Sequence, residues 1–170
     1  MKRMQLVLLH SVFILLFSTG MNSASAKEPF QTLVQACTEL NHQYAFARDQ
    51  GDVAAYERIF SDDAEFIMQG KTYVGKPAIL TRLTGGEVRY FARLLIGTVA
   101  ITPLNEFSAQ GVTYFTMFQA EEGDDGSQLP ISSFTTFMGE YHDSYEFESG
   151  TCRLSRRETK PLFMGTAEAN

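Results

Sequence analysis

Residues 44–66 read YAFARDQGDVAAYERIFSDDAEF, and the rest of the chain is organised around them. Gly51 suits a left-handed helix stop, because it carries no Cβ to clash there. Asp52 follows as a natural N-cap whose carboxylate can accept orphan amide protons. Tyr56, Ile59 and Phe60 then form one apolar face of a short helix. Ser61-Asp62-Asp63 breaks it, since short polar side chains compete for backbone hydrogen bonds. The stretch therefore holds the end of one amphipathic helix, a Gly-Asp corner, a second helix, a double-Asp turn and the start of a strand. Two helices meeting at a corner and feeding a strand predict a helical lid over a sheet.

Upstream, Phe30, Leu33, Val34, Cys37, Leu40, Tyr44 and Ala47 recur at helical spacing and make one core-facing stripe. Tyr44 closes that stripe, so its ring enters the interior and its hydroxyl needs a partner or water. His42 points away from the stripe, toward solvent. Before this helix the chain begins MKRMQLVLLHSVFILLFSTGMNSASA. Lys2 and Arg3, the apolar run Leu6–Phe17 and the small-residue site Ala24-Ser25-Ala26 read as a secretory signal peptide cleaved after Ala26. An uncleaved N-terminal anchor is the alternative, but the apolar run is short for a span of about 20 residues. Residues 27–164 then form one domain, residues 165–170 a flexible tail, and the protein is secreted or periplasmic with no stable membrane anchor.

Downstream, residues 64–69 alternate as a strand, with Phe66 and Met68 on one face. Tyr73-Val74 is a short return strand, and Gly75-Lys76-Pro77 opens a third helix that buries Ile79, Leu80 and Leu83. Four long strands follow, over 88–102, 107–119, 131–147 and 151–159, with an acidic loop at 121–127. The order of elements gives an α+β domain. Strands this long with internal small residues suggest a strongly curved, mostly antiparallel sheet wrapped around the N-terminal helices.

The chain has 170 residues and a net charge of −6; loss of two of its 14 basic residues, Lys2 and Arg3, leaves 12 against 20 acidic ones and moves that charge to −8. An acidic chain without a basic stripe argues against nucleic acid. The two cysteines, Cys37 and Cys152, can be a disulfide in an oxidising compartment or a pair of buried thiols. No metal-ligand spacing, phosphate-cradling loop or nucleophile elbow is present, and no cofactor is expected.

Several short motifs carry a resemblance. They are Tyr44-x-x-Ala47-x-x-x-Gly51-Asp52, Phe60-x-Asp62-Asp63-Ala64 and Gly75-x-x-Ala78-Ile79. Late in the chain come Gly139-x-Tyr141-x-Asp143 and the strand from Gly150 to Arg157. In this order the chain resembles the SnoaL-like branch of the nuclear transport factor 2-like superfamily. The resemblance implies a cone-shaped α+β barrel, also called cystatin-like, with a hydrophobic pocket at its open end, and a homodimer is the expected assembly. The superfamily includes polyketide cyclases, scytalone dehydratase, ketosteroid isomerase and non-catalytic binding or assembly modules, so fold does not settle function.

What the resemblance implies for the site follows position by position. Ketosteroid isomerase is similar in placing an oxyanion-hole tyrosine at Tyr44 and a carboxylic acid at Asp143. Its base position is held here by Met68, which cannot take a proton. The dehydratase and cyclases are similar in the Asp before the corner, Asp49. The dehydratase's strand histidine is absent from Tyr90-Phe91-Ala92-Arg93-Leu94-Leu95, and His142 lies on the strand face opposite Tyr141 and Asp143. Tyr44, Asp49 and Asp143 are thus the candidate catalytic groups, for cofactor-independent isomerase, dehydratase or cyclase chemistry. Met68, Tyr90, Tyr114, Phe118, Phe137 and Tyr141 are the candidate lining of a pocket for a small apolar or aromatic molecule. Each has a plainer reading: Asp143 can be a neutral donor or can pair with Arg93 or Arg157, and Asp49 can be a solvated helix-end residue.

Overall fold

The computed structural model describes residues 28–84, 91–120, 127 and 129–168. The signal-peptide segment, Tyr90 and most of the acidic loop lie outside the described residues.

Helix α1 (Glu28–Gln50) buries Leu33, Cys37, Leu40, Tyr44 and Ala47, the stripe read from its spacing. Phe30, assigned to that stripe, is instead exposed. The helix ends in a Schellman arrangement at Gly51, whose φ is 64°. The Gly51 amide donates to the Arg48 carbonyl at 3.2 Å and the Asp52 amide to Ala47 at 2.9 Å, satisfying carbonyls the helix leaves open. Asp52 then caps α2 (Val53–Ile59), its carboxylate accepting from the Ala55 amide at 3.0 Å.

The second helix leads without a turn into β1 (Phe60–Met68). The helix ends before Ser61 as expected, but the double-Asp turn expected at Ser61-Asp62-Asp63 is absent. The three residues lie inside the strand, where the register against its neighbour shifts between Phe60 and Glu65. Polar residues that disfavour a helix are tolerated where a bulge opens the ladder. β2 (Lys71–Val74) returns antiparallel, and α3 (Lys76–Thr84) fully buries Ile79 and partly buries Leu80 and Leu83.

The long strands are β3 (Ala92–Asn105), β4 (Ser108–Ala120), β5 (Ser133–Glu148) and β6 (Thr151–Glu168). The last of them corrects two expectations. It does not stop at Thr159, and Gly165–Glu168 is paired strand rather than a flexible tail, with Phe134 opposite Ala167 and Ser133 opposite Glu168. Pairing to a long neighbour, which local sequence does not report, supplies the hydrogen bonds that hold it.

The sheet order is β2-β1-β6-β5-β4-β3. Among the described residues only β1 and β6 run parallel, and every other neighbouring pair is antiparallel. Helix α1 packs across the inner face, with most of its sheet contacts on β3 and β6. Cys37 on α1 and Cys152 on β6 form a disulfide with Cα atoms 5.2 Å apart, so of the two sequence readings the pair is bonded. Its separation of 115 residues puts the entropic stabilisation at up to about 5 kcal/mol.

Candidate functional site

Strand alternation decides which side chains enter the cone. On the inner face Thr113, Tyr141 and Thr159 stand opposite one another across β4, β5 and β6, and Gly111, Asp143 and Arg157 form the next row. Adjacent rows on one face bring Asp143, Tyr145 and Arg157 beneath α1, where Asn41 and Tyr44 meet them.

Arg157 is fully buried. Its Nε and Nη2 donate to the two oxygens of Asp143 at 2.9 and 2.7 Å, and Nη2 also donates to the Asn41 side-chain oxygen. Asn41 donates from Nδ2 to the Tyr145 hydroxyl at 2.9 Å and to the Cys37 carbonyl at 2.9 Å. The Tyr145 hydroxyl donates to Asp143 at 2.8 Å and closes the circuit. The guanidinium carbon also lies over two rings that meet edge-on, 4.3 Å from the Tyr44 centroid and 4.1 Å from that of Tyr141. Tyr141 in turn stacks on Phe115 at 4.3 Å, while Tyr44 meets Tyr56 edge-on at 5.6 Å.

The electrostatics follow from this packing. Burial pushes the Tyr56, Tyr141 and Tyr145 phenols well above the ordinary tyrosine range, and neighbouring tyrosines or Asp143 push in the same direction. Burial alone would weaken the charge on Arg157, but the Asp143 carboxylate more than offsets it, so the guanidinium is held charged. Asp143 therefore acts as an acceptor from Tyr145 and Arg157, not as a neutral acid donating to a ligand. This corrects the donor role suggested for it and matches the structural ion pair with Arg157. Arg93 is on the opposite face.

Asp49 lies apart from this circuit. Both of its oxygens accept from the Leu94 amide, at 3.1 and 3.2 Å, and Arg48 approaches to 3.6 Å. Its carboxylate is 11% exposed, and burial raises its pKa against the lowering pull of the Leu94 hydrogen bond, Arg48 and Arg93. It is thus a held helix-end carboxylate rather than a fully solvated one.

The proposed pocket residues divide between the two faces. Tyr141 is central to the inner cluster; Phe137 stands opposite Met117 near the end of the inner face, and Met68 packs against the core. Tyr114 and Phe118 are placed differently from expectation: they project from the outer face, opposite Glu140 and Thr136, and are 45% and 38% exposed. The pleat is the reason, since buried Phe115 and half-buried Met117 take the inner positions between and beside them. His142 is also on the outer face, 2.8 Å from Glu140.

Sequence reasoning missed Asn41, Thr113, Tyr145 and Thr159. Two signals could have found some of them: Asn41 is a polar residue on an otherwise apolar stripe, and Tyr145 continues the Tyr141, Asp143 alternation. Among the described residues, Nη1 of Arg157 and the hydroxyls of Thr113 and Thr159 are buried without a hydrogen-bond partner. Among those residues no group of three or more His, Cys, Asp or Glu side chains lies close enough to hold a metal ion.

Comparisons with known proteins agree with this architecture. A candidate scytalone dehydratase from Novosphingobium aromaticivorans DSM 12444 superimposes with a TM-score of 0.70 at 15% identity, covering 84% of this chain and 96% of the other. The hexachlorocyclohexane dehydrochlorinase LinA-type3 from Novosphingobium barchaimii LL02 gives 0.69 at 13% identity, covering 82% and 93%. A nuclear transport factor 2-like superfamily protein from Salmonella enterica serovar Typhimurium LT2 gives 0.66 at 16%, covering 79% and 94%. At these identities the likeness is one of fold. No curated protein matches the sequence. The family model of the SnoaL-like domain matches residues 32–158, which takes in the helical corner, the cone and the Arg157 circuit, and the chain belongs to that family.

Proposed function

We propose that this chain is an exported binding protein that holds a small, largely apolar or aromatic molecule in its cone through a polar atom, without acid–base catalysis. The observation that carries the reading is the set of unpartnered buried polar atoms around the Tyr141 ring: Arg157 Nη1, Thr113 Oγ1 and Thr159 Oγ1. A buried polar group without a partner costs about 1–3 kcal/mol, so a ligand oxygen meeting one of them would gain that much. The rings of Tyr44, Phe115 and Tyr141 pack against one another beside them. Against catalysis stand the two carboxylates, each already accepting hydrogen bonds, and the residues Ala92–Leu95, which include no histidine. The signal-like segment and the Cys37–Cys152 disulfide support an oxidising compartment. The exposed Leu95, Tyr114, Met138 and Phe163 support a homodimer formed through the outer face.

Native mass spectrometry of protein from the periplasm or medium of its own host tests the reading. A chain beginning at Lys27 with a retained small molecule is expected. Thr113→Val and Thr159→Val should each reduce the retained fraction. If both variants keep the molecule and gain stability, the hydroxyls are orphans of the fold and the binding reading fails.

A second reading is favoured by Asp49, whose raised pKa is the property of a proton-transfer group. In it the chain is an isomerase, dehydratase or cyclase with Asp49 as the base. Turnover of the retained molecule that disappears in Asp49→Asn would replace the first reading with this one.

A further inference from the structure

The outer face of the sheet carries a feature that the cone does not use. Where β3 begins and β4 ends, a groove of about 420 Å³ is lined by Phe91, Phe118, Phe134, Leu129, Pro130 and Arg93. Its volume is within the range of small-molecule sites, roughly 300–1,000 Å³. The walls are aromatic and preset: Phe118 and Phe134 meet edge-on at 5.7 Å, and the Arg93 guanidinium lies over the Phe91 ring at 4.4 Å.

Arg93 is the charged residue of this lining. It is exposed, and its Nη1 donates to the Ala92 carbonyl at 2.8 Å. Among the described residues no carboxylate lies within ion-pair distance of it. Its field reaches Asp49, but that carboxylate is held to the Leu94 amide. A cation stacked on a ring beside an apolar groove is poised for an anion with an apolar body. The planar guanidinium favours a carboxylate, which can accept two hydrogen bonds along one edge.

We propose that this groove binds a small monocarboxylate with an aromatic or branched apolar body, its carboxylate on Arg93 and its body between Phe118 and Phe134. The site is on the opposite face of the sheet from the cone, and its occupancy is independent of whether the cone holds a ligand.

The test is an NMR-detected titration of the disulfide-intact protein with 4-phenylbutyrate and, separately, with its uncharged amide. The acid is expected to bind at least fivefold more tightly, with shifts at Phe91, Phe118 and Phe134. Arg93→Gln should bring acid and amide within twofold of each other at unchanged Tm. Phe134→Ala should weaken both probes. Equal affinity of the two probes, or a preference that survives Arg93→Gln, overturns the proposal. Shifts confined to Tyr44 and Tyr141 would overturn it too, by moving the ligand into the cone. A groove covered by a second copy of the chain would bind neither probe, and that result overturns it as well.

Discussion

Arg157 and Arg93 both stack on aromatic rings, yet they sit on opposite faces of one sheet. The first is fully buried, bonds Asp143 and Asn41 within a closed circuit, and lies over two rings. The second is exposed, stacks on one ring, and bonds the carbonyl of the residue before it. The contrast shows how burial changes what a guanidinium is for. Inside, desolvation is so costly that the charge must be matched by Asp143, and the pair becomes part of the scaffold. Outside, water screens the charge, so little stability depends on it and it remains available to a ligand.

The largest effect should come from breaking the inner pair. Arg157→Met leaves Asp143 buried and uncompensated, which costs about 3–5 kcal/mol. Urea unfolding should show this loss, and the double variant Arg157→Met, Asp143→Leu should recover most of it. A single variant within about 1 kcal/mol of the parent, on the scale of surface substitutions, would remove the distinction between the two arginines.

A pH titration gives the next effect. Tyr56, Tyr141 and Tyr145 have folded pKa values raised above the ordinary value of 10.0. Above pH 10 the unfolded chain therefore releases these protons while the folded chain keeps them. The unfolded state then binds fewer protons, and stability falls by about 1.4 kcal/mol per group for each further pH unit. Tyrosinate absorbance should accordingly rise in a final step that coincides with loss of the far-ultraviolet circular dichroism. A smooth titration of all seven tyrosines with the fold intact would mean that the inner face is open to water.

The smallest effect is expected from Arg93→Gln, which should change the unfolding free energy by no more than about 0.5 kcal/mol, as for surface substitutions in general. A loss above about 2 kcal/mol, well outside that surface range, would make Arg93 a structural residue and erase the contrast between the faces.

Much of this architecture was legible because it depends on near neighbours in the chain. The Gly51-Asp52 corner needed only a residue tolerant of positive φ and a side chain that can cap, and both occur where the structure uses them. The α1 stripe followed from spacing, apart from Phe30 at the first turn. The site was less legible. Tyr44, Tyr141 and Asp143 were named, but Asn41, Tyr145 and the two threonines were not, since a polar residue gains its meaning from partners over a hundred positions away. The placement of Tyr114 and Phe118 inside the cone failed for a similar reason: alternation tells which residues share a face, not which face the helix covers.

Periodicity and turn chemistry in the amino-acid sequence were therefore sufficient for the α+β class, the corner, the helical stripe and the membership of strand faces. They rest on torsional preferences and on the repeat of a helix or strand, which act within a few residues. Tertiary packing decided the rest. It chose Arg157 as the partner of Asp143, brought Cys37 to Cys152 across 115 residues, and kept Gly165–Glu168 in the sheet. It also turned Tyr114 and Phe118 outward. Each of these outcomes depends on which surface α1 buries, because desolvation and hydrogen-bond partnership are properties of the assembled cone and of no single segment.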